Sequence, residues 1–278
     1  MRIKKIIGFI LAFTVASLAL AITPDDLVVY WLGKTPAPAP AVKTIDEGLA
    51  FQAKFVAGLE PIVGKPVGYK VGLTSKAVQE RFGVHQPLRG VLLEGMLLAN
   101  NAVVPAKFGA IPIAEADLLV RVKDAGINAA KTPEEVVKHI DQVIPFIELP
   151  DLMLKKGQPL NGATITAINV GARLGVLGDP IAVEPTRDFA RAMAEMQVFV
   201  SVNDKLVMKV PGKAILGNPL NAAVWLVQDL AKHGQALKAG DLISLGSFGK
   251  PLRPQAGQKM WVGYTFGNWG GEVKVSFK

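Results

Sequence analysis

The sequence predicts an α+β, β-rich fold: a barrel or sandwich of short strands decorated by a few helices. Two observations carry that expectation. From Leu88 onward, short β-branched runs recur between Gly, Pro and Asn turns, with only two helical stretches among them. Before Leu88, two segments instead show helical apolar spacing behind good N-cap residues. Strands alternating regularly with helices, as a doubly wound sheet requires, are absent.

The chain opens with an address. Arg2, Lys4 and Lys5 precede an apolar run, Ile6–Leu20, broken only by Gly8, Thr14 and Ser17. Ala19-Leu20-Ala21 then offers small residues where a signal peptidase reads, before the polar Thr23-Pro24-Asp25-Asp26. A run of about 15 apolar residues is short for a span needing roughly 20. Residues 1–21 are therefore expected to be a cleaved signal, leaving a periplasmic or secreted protein with no stable membrane anchor.

Asp25–Lys34 reads as a helix with Leu27, Val28, Tyr30, Trp31 and Leu32 apolar, and Pro36, Pro38 and Pro40 then force an extended connector. Thr44-Ile-Asp-Glu47 is a capping-box arrangement opening a second helix, whose core face would use Leu49, Phe51, Phe55, Val56 and Leu59. Val67–Leu73 reads as a strand and Ser75–Phe82 as a short helix. These make an N-terminal α/β subdomain over 22–87, ahead of a β-rich core over 88–278. In that core, strands are expected at Val91–Leu93, Ala102–Val104, Ala116–Val122, Val143–Leu149, Ile165–Val170, Val198–Val202 and Leu206–Val210, then at Leu242–Leu245, Lys259–Phe266 and Glu272–Phe277. The two helices are one started by Thr132 and Pro133, and one from about Pro219 to His233 stopped by Gly234.

With 278 residues, half of them hydrophobic, the chain can bury one large core. The formal charge of +8 falls to 8 − 3 = +5 without the signal, which carries no acid, and the remaining cations are scattered. A nucleic-acid partner is thus poorly supported, and small anionic molecules suit the charge better. Cysteine is absent, which excludes disulfides, thiolate metal sites and a cysteine nucleophile. No serine-hydrolase elbow, phosphate-binding Walker loop or dinucleotide glycine fingerprint occurs.

Three acids stand in apolar surroundings: Glu115 and Asp117 in Ile-Pro-Ile-Ala-Glu-Ala-Asp-Leu-Leu-Val, and Glu148 in Ile-Pro-Phe-Ile-Glu-Leu-Pro. Positions i and i+2 of a strand share a face, so Glu115 and Asp117 would point together. A hard divalent ion is one partner that offsets the burial of three carboxylates, and all-oxygen ligation suits Mg2+ or Mn2+. The alternative is that each acid pairs with a nearby base such as Arg121, or faces solvent. Lys70, between Gly68 and Gly72 on a strand, could hold a carboxylate or move a proton, or simply snorkel from an edge. Gly246-Ser247-Phe248-Gly249 could present backbone N–H groups to an anion. His139 and His233 fall on expected helix surfaces and carry no metal-ligand spacing.

Several ordered stretches resemble one family. Gly68-Tyr-Lys-Val-Gly-Leu-Thr-Ser75 is similar to the Gly-x-Lys-[Ile/Val]-Gly-Leu-Thr segment of 2-keto-4-pentenoate hydratases, and Phe82-Gly-Val-His-Gln-Pro-Leu-Arg-Gly90 resembles their Gly-Val-Asp-Gln-Pro stretch. Glu115-Ala-Asp117 looks like their Glu-x-Glu pair, with Glu148 where a third metal ligand sits. Gly217-Asn-Pro-Leu-Asn-Ala-Ala-Val-Trp-Leu226, Leu237-Lys-Ala-Gly-Asp-Leu-Ile243 and Gly246-Ser247 resemble the family's C-terminal signature. The resemblance implies the mixed β-sandwich roll of the fumarylacetoacetate hydrolase superfamily with a small N-terminal helical subdomain, bound Mg2+ or Mn2+, and homo-oligomers. It implies a lyase that adds water to a 2-hydroxypenta-2,4-dienoate, with Glu115, Asp117 and Glu148 on the metal. Catalytic roles fall to Lys70 and to His85, which stands where the family carries an acid. Leu73, Gln86, Asn169 and Ser247 would meet the substrate. A non-catalytic periplasmic binder of small carboxylates on the same scaffold, or a sibling decarboxylase or C–C hydrolase, is the alternative.

Overall fold

The computed structural model describes residues 21–278, so the expected export signal lies outside the described residues except for Ala21. Two helices come first. α1 (Pro24–Gly33) starts at Thr23, whose hydroxyl accepts from the Asp26 N–H while the Asp26 carboxylate accepts from the Thr23 N–H. α2 (Ile45–Val63) starts at Thr44, but the reciprocal half of its capping box is displaced by one residue, since Glu47 accepts from the Lys43 N–H at 2.6 Å. Leu27 and Trp31 of α1 pack with Phe55, Val56 and Leu59 of α2 in a small core of their own. Leu49 and Phe51, expected in the core face, are only half-buried.

The remaining elements are β1 (Pro66–Gly72), α3 (Lys76–Arg81), β2 (Leu88–Leu93), β3 (Leu97–Leu98), β4 (Ala102–Val104), β5 (Glu115–Val122), α4 (Pro133–Val136), β6 (Ile140–Leu149), α5 (Gly162–Ala167), β7 (Leu174–Leu177), β8 (Ile181–Ala182), α6 (Arg187–Glu195), β9 (Gln197–Val202), β10 (Lys205–Pro211), α7 (Leu220–Lys232), β11 (Leu242–Ser244), β12 (Lys259–Phe266) and β13 (Trp269–Phe277). Eight strands form one sheet in the order β2-β1-β11-β5-β6-β7-β3, with β8 paired to β6. Five form a second sheet in the order β10-β9-β12-β13-β4. The main core draws on both sheets and on α6 and α7, with Tyr264, Phe189, Phe248 and Phe266 among its buried side chains. β1 pairs with β11 and β2 inside the eight-stranded sheet, so hydrogen bonds run across the expected subdomain boundary at residue 87.

One expected strand is a helix. Ile165–Val170 falls in α5 and in a 3-10 turn, Asn169–Gly171. Asn161 caps α5 by accepting from the Thr164 N–H at 3.1 Å, and all six helical residues are buried. A short apolar run buried on every side carries no period that separates strand from helix. α6 was not expected, although Thr186 caps it and Phe189, Ala190 and Met193 form its buried face.

Sheet order positions the chemistry. β1, β11, β5 and β6 are consecutive neighbours, with Lys70 opposite Ser244 and Glu115 opposite Glu148. Residues far apart in sequence thereby reach one end of one sheet.

Candidate active site

Lys70 projects from β1 and is only 3% exposed. Its ammonium pairs with Glu148 Oε1 on β6 and donates to the Val170 carbonyl at 2.9 Å. That Glu148 oxygen has no well-formed hydrogen bond besides this ionic contact. The sequence left a snorkelling lysine open, but burial and pairing exclude it.

Glu115 lies directly across the β5–β6 ladder from Glu148. Its surface is exposed only in part, and toward a cavity, while protein surrounds the carboxyl. Burial, then the Glu148 charge, pushes it up to about 8, with Lys70 pulling the other way. Ser247 lies beside Glu115 and favours its charged form, yet the hydroxyl makes no hydrogen bond of normal geometry. Asp117 is fully buried beneath this pair. Burial and Glu148 raise it to about 7, against the Ser244 hydroxyl and the Leu118 N–H, which stabilise the carboxylate. Ser244 donates to Oδ2 at 2.5 Å and the Gly246 N–H to Oδ1 at 3.0 Å.

Two backbone features hold these groups in place. Asn169, Val170 and Gly171 all have positive φ, at 57°, 51° and 70°. For β-branched Val170 this is a strained conformation, and it aims the carbonyl at Lys70. Asn169 fixes the turn, accepting from the Val91 N–H at 2.7 Å and donating to the Val91 carbonyl at 2.9 Å. Gly90, opposite Lys70, leaves room for both, because a Cβ there would lie 2.6 Å from the Asn169 carbonyl oxygen and 2.9 Å from Lys70 Cγ. Gly246, at φ 109°, likewise admits Thr74, whose hydroxyl would sit 2.4 Å from a Cβ.

A cavity of about 390 Å³ opens at this end of the sheet, lined by Lys70, Glu115, Glu148, Leu73 and Ser247 among others. Of the residues expected to meet substrate, Leu73 and Ser247 are therefore present. Asn169 is not: its side chain is engaged by Val91 and is fully buried. His85 and Gln86 line a neighbouring, more open cavity of about 550 Å³, with Lys43 and Asn161. Neither lines the cavity that holds Lys70, Glu115 and Glu148. Two of the N–H groups expected to face an anion are engaged within the protein, Gly246 with Asp117 and Phe248 with the Ala116 carbonyl. Sequence reading missed Tyr264, whose buried hydroxyl donates to the Asp117 carbonyl and lies 3.1 Å from that of Phe146. It also missed Asp151, which accepts from the Ala110 and Ile111 N–H groups and from Arg173. A buried tyrosine in an apolar strand gives no sequence signal, but an acid two residues after Leu149 could have been flagged.

The donor set suits a hard divalent cation. Three ionised acids against one lysine would leave two negative charges buried together, which such a cation would offset. Ser247 Oγ is buried there without a hydrogen-bond partner, and Glu148 Oε1 has only its contact with Lys70. The acids do not form a ready cage, however. Among the described residues no three Asp, Glu or His side chains stand in metal-holding geometry, because Lys70 occupies Glu148 while Ser244 and Gly246 hold Asp117. Glu115 and Glu148 are the donors that reach the cavity.

Comparison with known proteins follows the same line. No family model matches the chain. It is 30% identical over 197 residues to 2-keto-4-pentenoate hydratase 1 of Dechloromonas aromatica, covering 70% of this chain and 73% of that protein. It is 32% identical over 214 residues to 2-keto-4-pentenoate hydratase of Paraburkholderia phymatum, covering 76% and 78%. Among solved structures, 4-oxalocrotonate decarboxylase from Pseudomonas putida G7, complexed with calcium and acetate, superposes with a TM-score of 0.75 at 25% identity, over 84% of this chain and 86% of that one.

Proposed function

The chain belongs to the 2-keto-4-pentenoate hydratase family, with a fold of the fumarylacetoacetate hydrolase type, and from that premise we propose an exported, divalent-metal-dependent lyase that hydrates a 2-hydroxydienoic acid. One observation carries the reading: Lys70 and Glu148 form a buried ion pair at the wall of a cavity, beside a second acid, Glu115, whose carboxyl burial pushes toward the neutral form.

Glu115 and Glu148, with Asp117 beneath them, would hold the cation. When bound, Mg2+ or Mn2+ would neutralise the acids and favour the enolate form of the substrate's 2-oxo acid head. The protein's own groups do the rest. Loss of the enol proton from O2 and protonation at C5 converts the dienol into a ketone conjugated to a C3–C4 double bond. Water then adds its oxygen at C4, and C3 takes a proton, giving a 4-hydroxy-2-oxo acid. In this reading Lys70 would carry these protons, with Glu148 as its exchange partner across the ion pair; the contact to the Val170 carbonyl supports it by holding the ammonium in one orientation. The apolar walls limit competing water.

The test is direct. Purified mature protein is given 2-hydroxypenta-2,4-dienoate with Mg2+ or Mn2+, and loss of dienol absorbance is followed with and without EDTA. Metal-dependent turnover, abolished in Lys70→Ala, supports the reading; no turnover with any divalent ion overturns it. Release of CO2 from 4-oxalocrotonate would favour the sibling decarboxylase reading suggested by the structural relative. Tight binding without turnover would favour a non-catalytic carboxylate binder.

A further inference from the structure

The substrate's tail is written in the cavity wall. Leu73, Phe82, Leu160, Ile165 and Val170 form one apolar cluster, and all five line the cavity that holds Lys70, Glu115 and Glu148. Leu73, Phe82 and Leu160 are only partly buried by protein, so they retain apolar surface to give to a ligand. The ionisable groups come from other elements: Lys70 from β1, Glu115 from β5 and Glu148 from β6. The one cation along the apolar stretch, Arg81, is exposed and sits over the Phe82 ring at 5.4 Å.

Size points the same way. A five-carbon hydroxydienoate has eight non-hydrogen atoms, and even at a water's share of ~30 Å³ for each it would fill no more than about 240 Å³. The cavity offers about 390 Å³, within the range of about 300–1,000 Å³ that encloses much larger ligands. A cation and its waters would take part of the remainder, and the apolar lining bounds the rest.

We propose that this protein takes 2-oxo or 2-hydroxydienoic acids bearing an extended apolar substituent, alkyl or aryl, at the end remote from the carboxylate, and that Phe82 sets the length accepted. This rests on the reading that the acid end receives the head group. Phe82 is the length-setting residue because it lines both this cavity and the neighbouring one with His85 and Gln86, so its ring is the partition between them. Phe82→Ala would join the two and lengthen the tail that fits.

Binding of unreactive 2-oxo acids by titration calorimetry, in the presence of Mg2+, separates this from the catalytic reading. The series is pyruvate, 2-oxopentanoate, 2-oxooctanoate, 2-oxo-4-phenylbutanoate and the dicarboxylate 2-oxoadipate. Affinity is expected to rise roughly three- to fourfold per buried methylene, so 2-oxooctanoate should bind at least tenfold more tightly than 2-oxopentanoate. Leu160→Trp should narrow the ratio between those two ligands to threefold or less, and Phe82→Ala should move the preferred length upward. Equal affinity along the series overturns the proposal, as does a preference for 2-oxoadipate that Arg81→Ala removes. Tail-dependent binding with no turnover of any dienoate would leave this inference standing and sink the hydratase reading. Turnover of the five-carbon dienoate with no gain from longer tails would do the reverse.

Discussion

Lys70 and Glu148 are each buried, so neither can lose its partner cheaply. Lys70→Ala removes the proposed proton carrier and leaves Glu148 without its ionic partner. Turnover is expected to fall about 10²–10⁴-fold, and chemical denaturation should show a loss of about 3–5 kcal/mol. The neighbouring acids give a pH signature. Glu115 and Asp117 are raised to about 8 and about 7, above their ordinary values of 4.5 and 3.8. Folding then favours their neutral forms, so the metal-free protein should lose stability as pH climbs from about 4 toward 8, and stop losing it above that. A cation needs the ionised forms, so loading at pH 7 should release protons, and affinity should strengthen up to about pH 8. Calorimetry in two buffers of different ionisation enthalpy counts those protons; identical heats in both would contradict the expectation. At this scale the acids and Lys70 were legible, because charged residues inside apolar runs are conspicuous. That Asn169 turns to Val91 was not, since side-chain direction at a turn depends on backbone φ that sequence does not display.

At the scale of elements, the decisive piece is the turn between α5 and β7. It holds Val170 at positive φ and points its carbonyl at Lys70. Asn169→Ala leaves two partly buried Val91 backbone groups without their partner, at about 1 kcal/mol each. Activity should fall mainly in kcat, with KM little moved, because the lysine loses its orienting carbonyl while the cavity keeps its walls. Steady-state kinetics decide it: a change in KM alone would assign Asn169 to substrate contact instead. Tyr264→Phe should cost about 1–3 kcal/mol in thermal unfolding, since its hydroxyl ties β12 to the strands bearing the acids. The sequence placed most strands within a few residues, because alternation and turn residues mark them locally. It misread Ile165–Val170 because burial on all sides erases the period.

Across the whole molecule, one buried network joins the N-terminal helices to the sheet. Arg173 donates to the Phe108 carbonyl at 2.5 Å, the Trp31 carbonyl at 3.0 Å and Asp151 at 3.2 Å, and its guanidinium lies 4.2 Å from the Trp31 ring centre. Arg173→Ala would leave Asp151 buried and unpaired, and calorimetric unfolding should show a loss of about 3–5 kcal/mol. Export is tested by N-terminal sequencing of the protein recovered from its host, which should begin at Ile22; a chain still starting at Met1 would refute cleavage. The amino-acid sequence by itself determined the β-rich class, the family and which acids and lysine stand in apolar surroundings, because composition, local periodicity and motif order are properties of neighbouring residues. Only the tertiary structure decided that Glu115 faces Glu148, that Lys70 pairs with it, that His85 belongs to another cavity, and that the site continues into an apolar chamber. Those facts follow from the sheet order β1-β11-β5-β6 and from which wall each loop packs against. They are relations between segments tens of residues apart, set by how the sheet closes on its core.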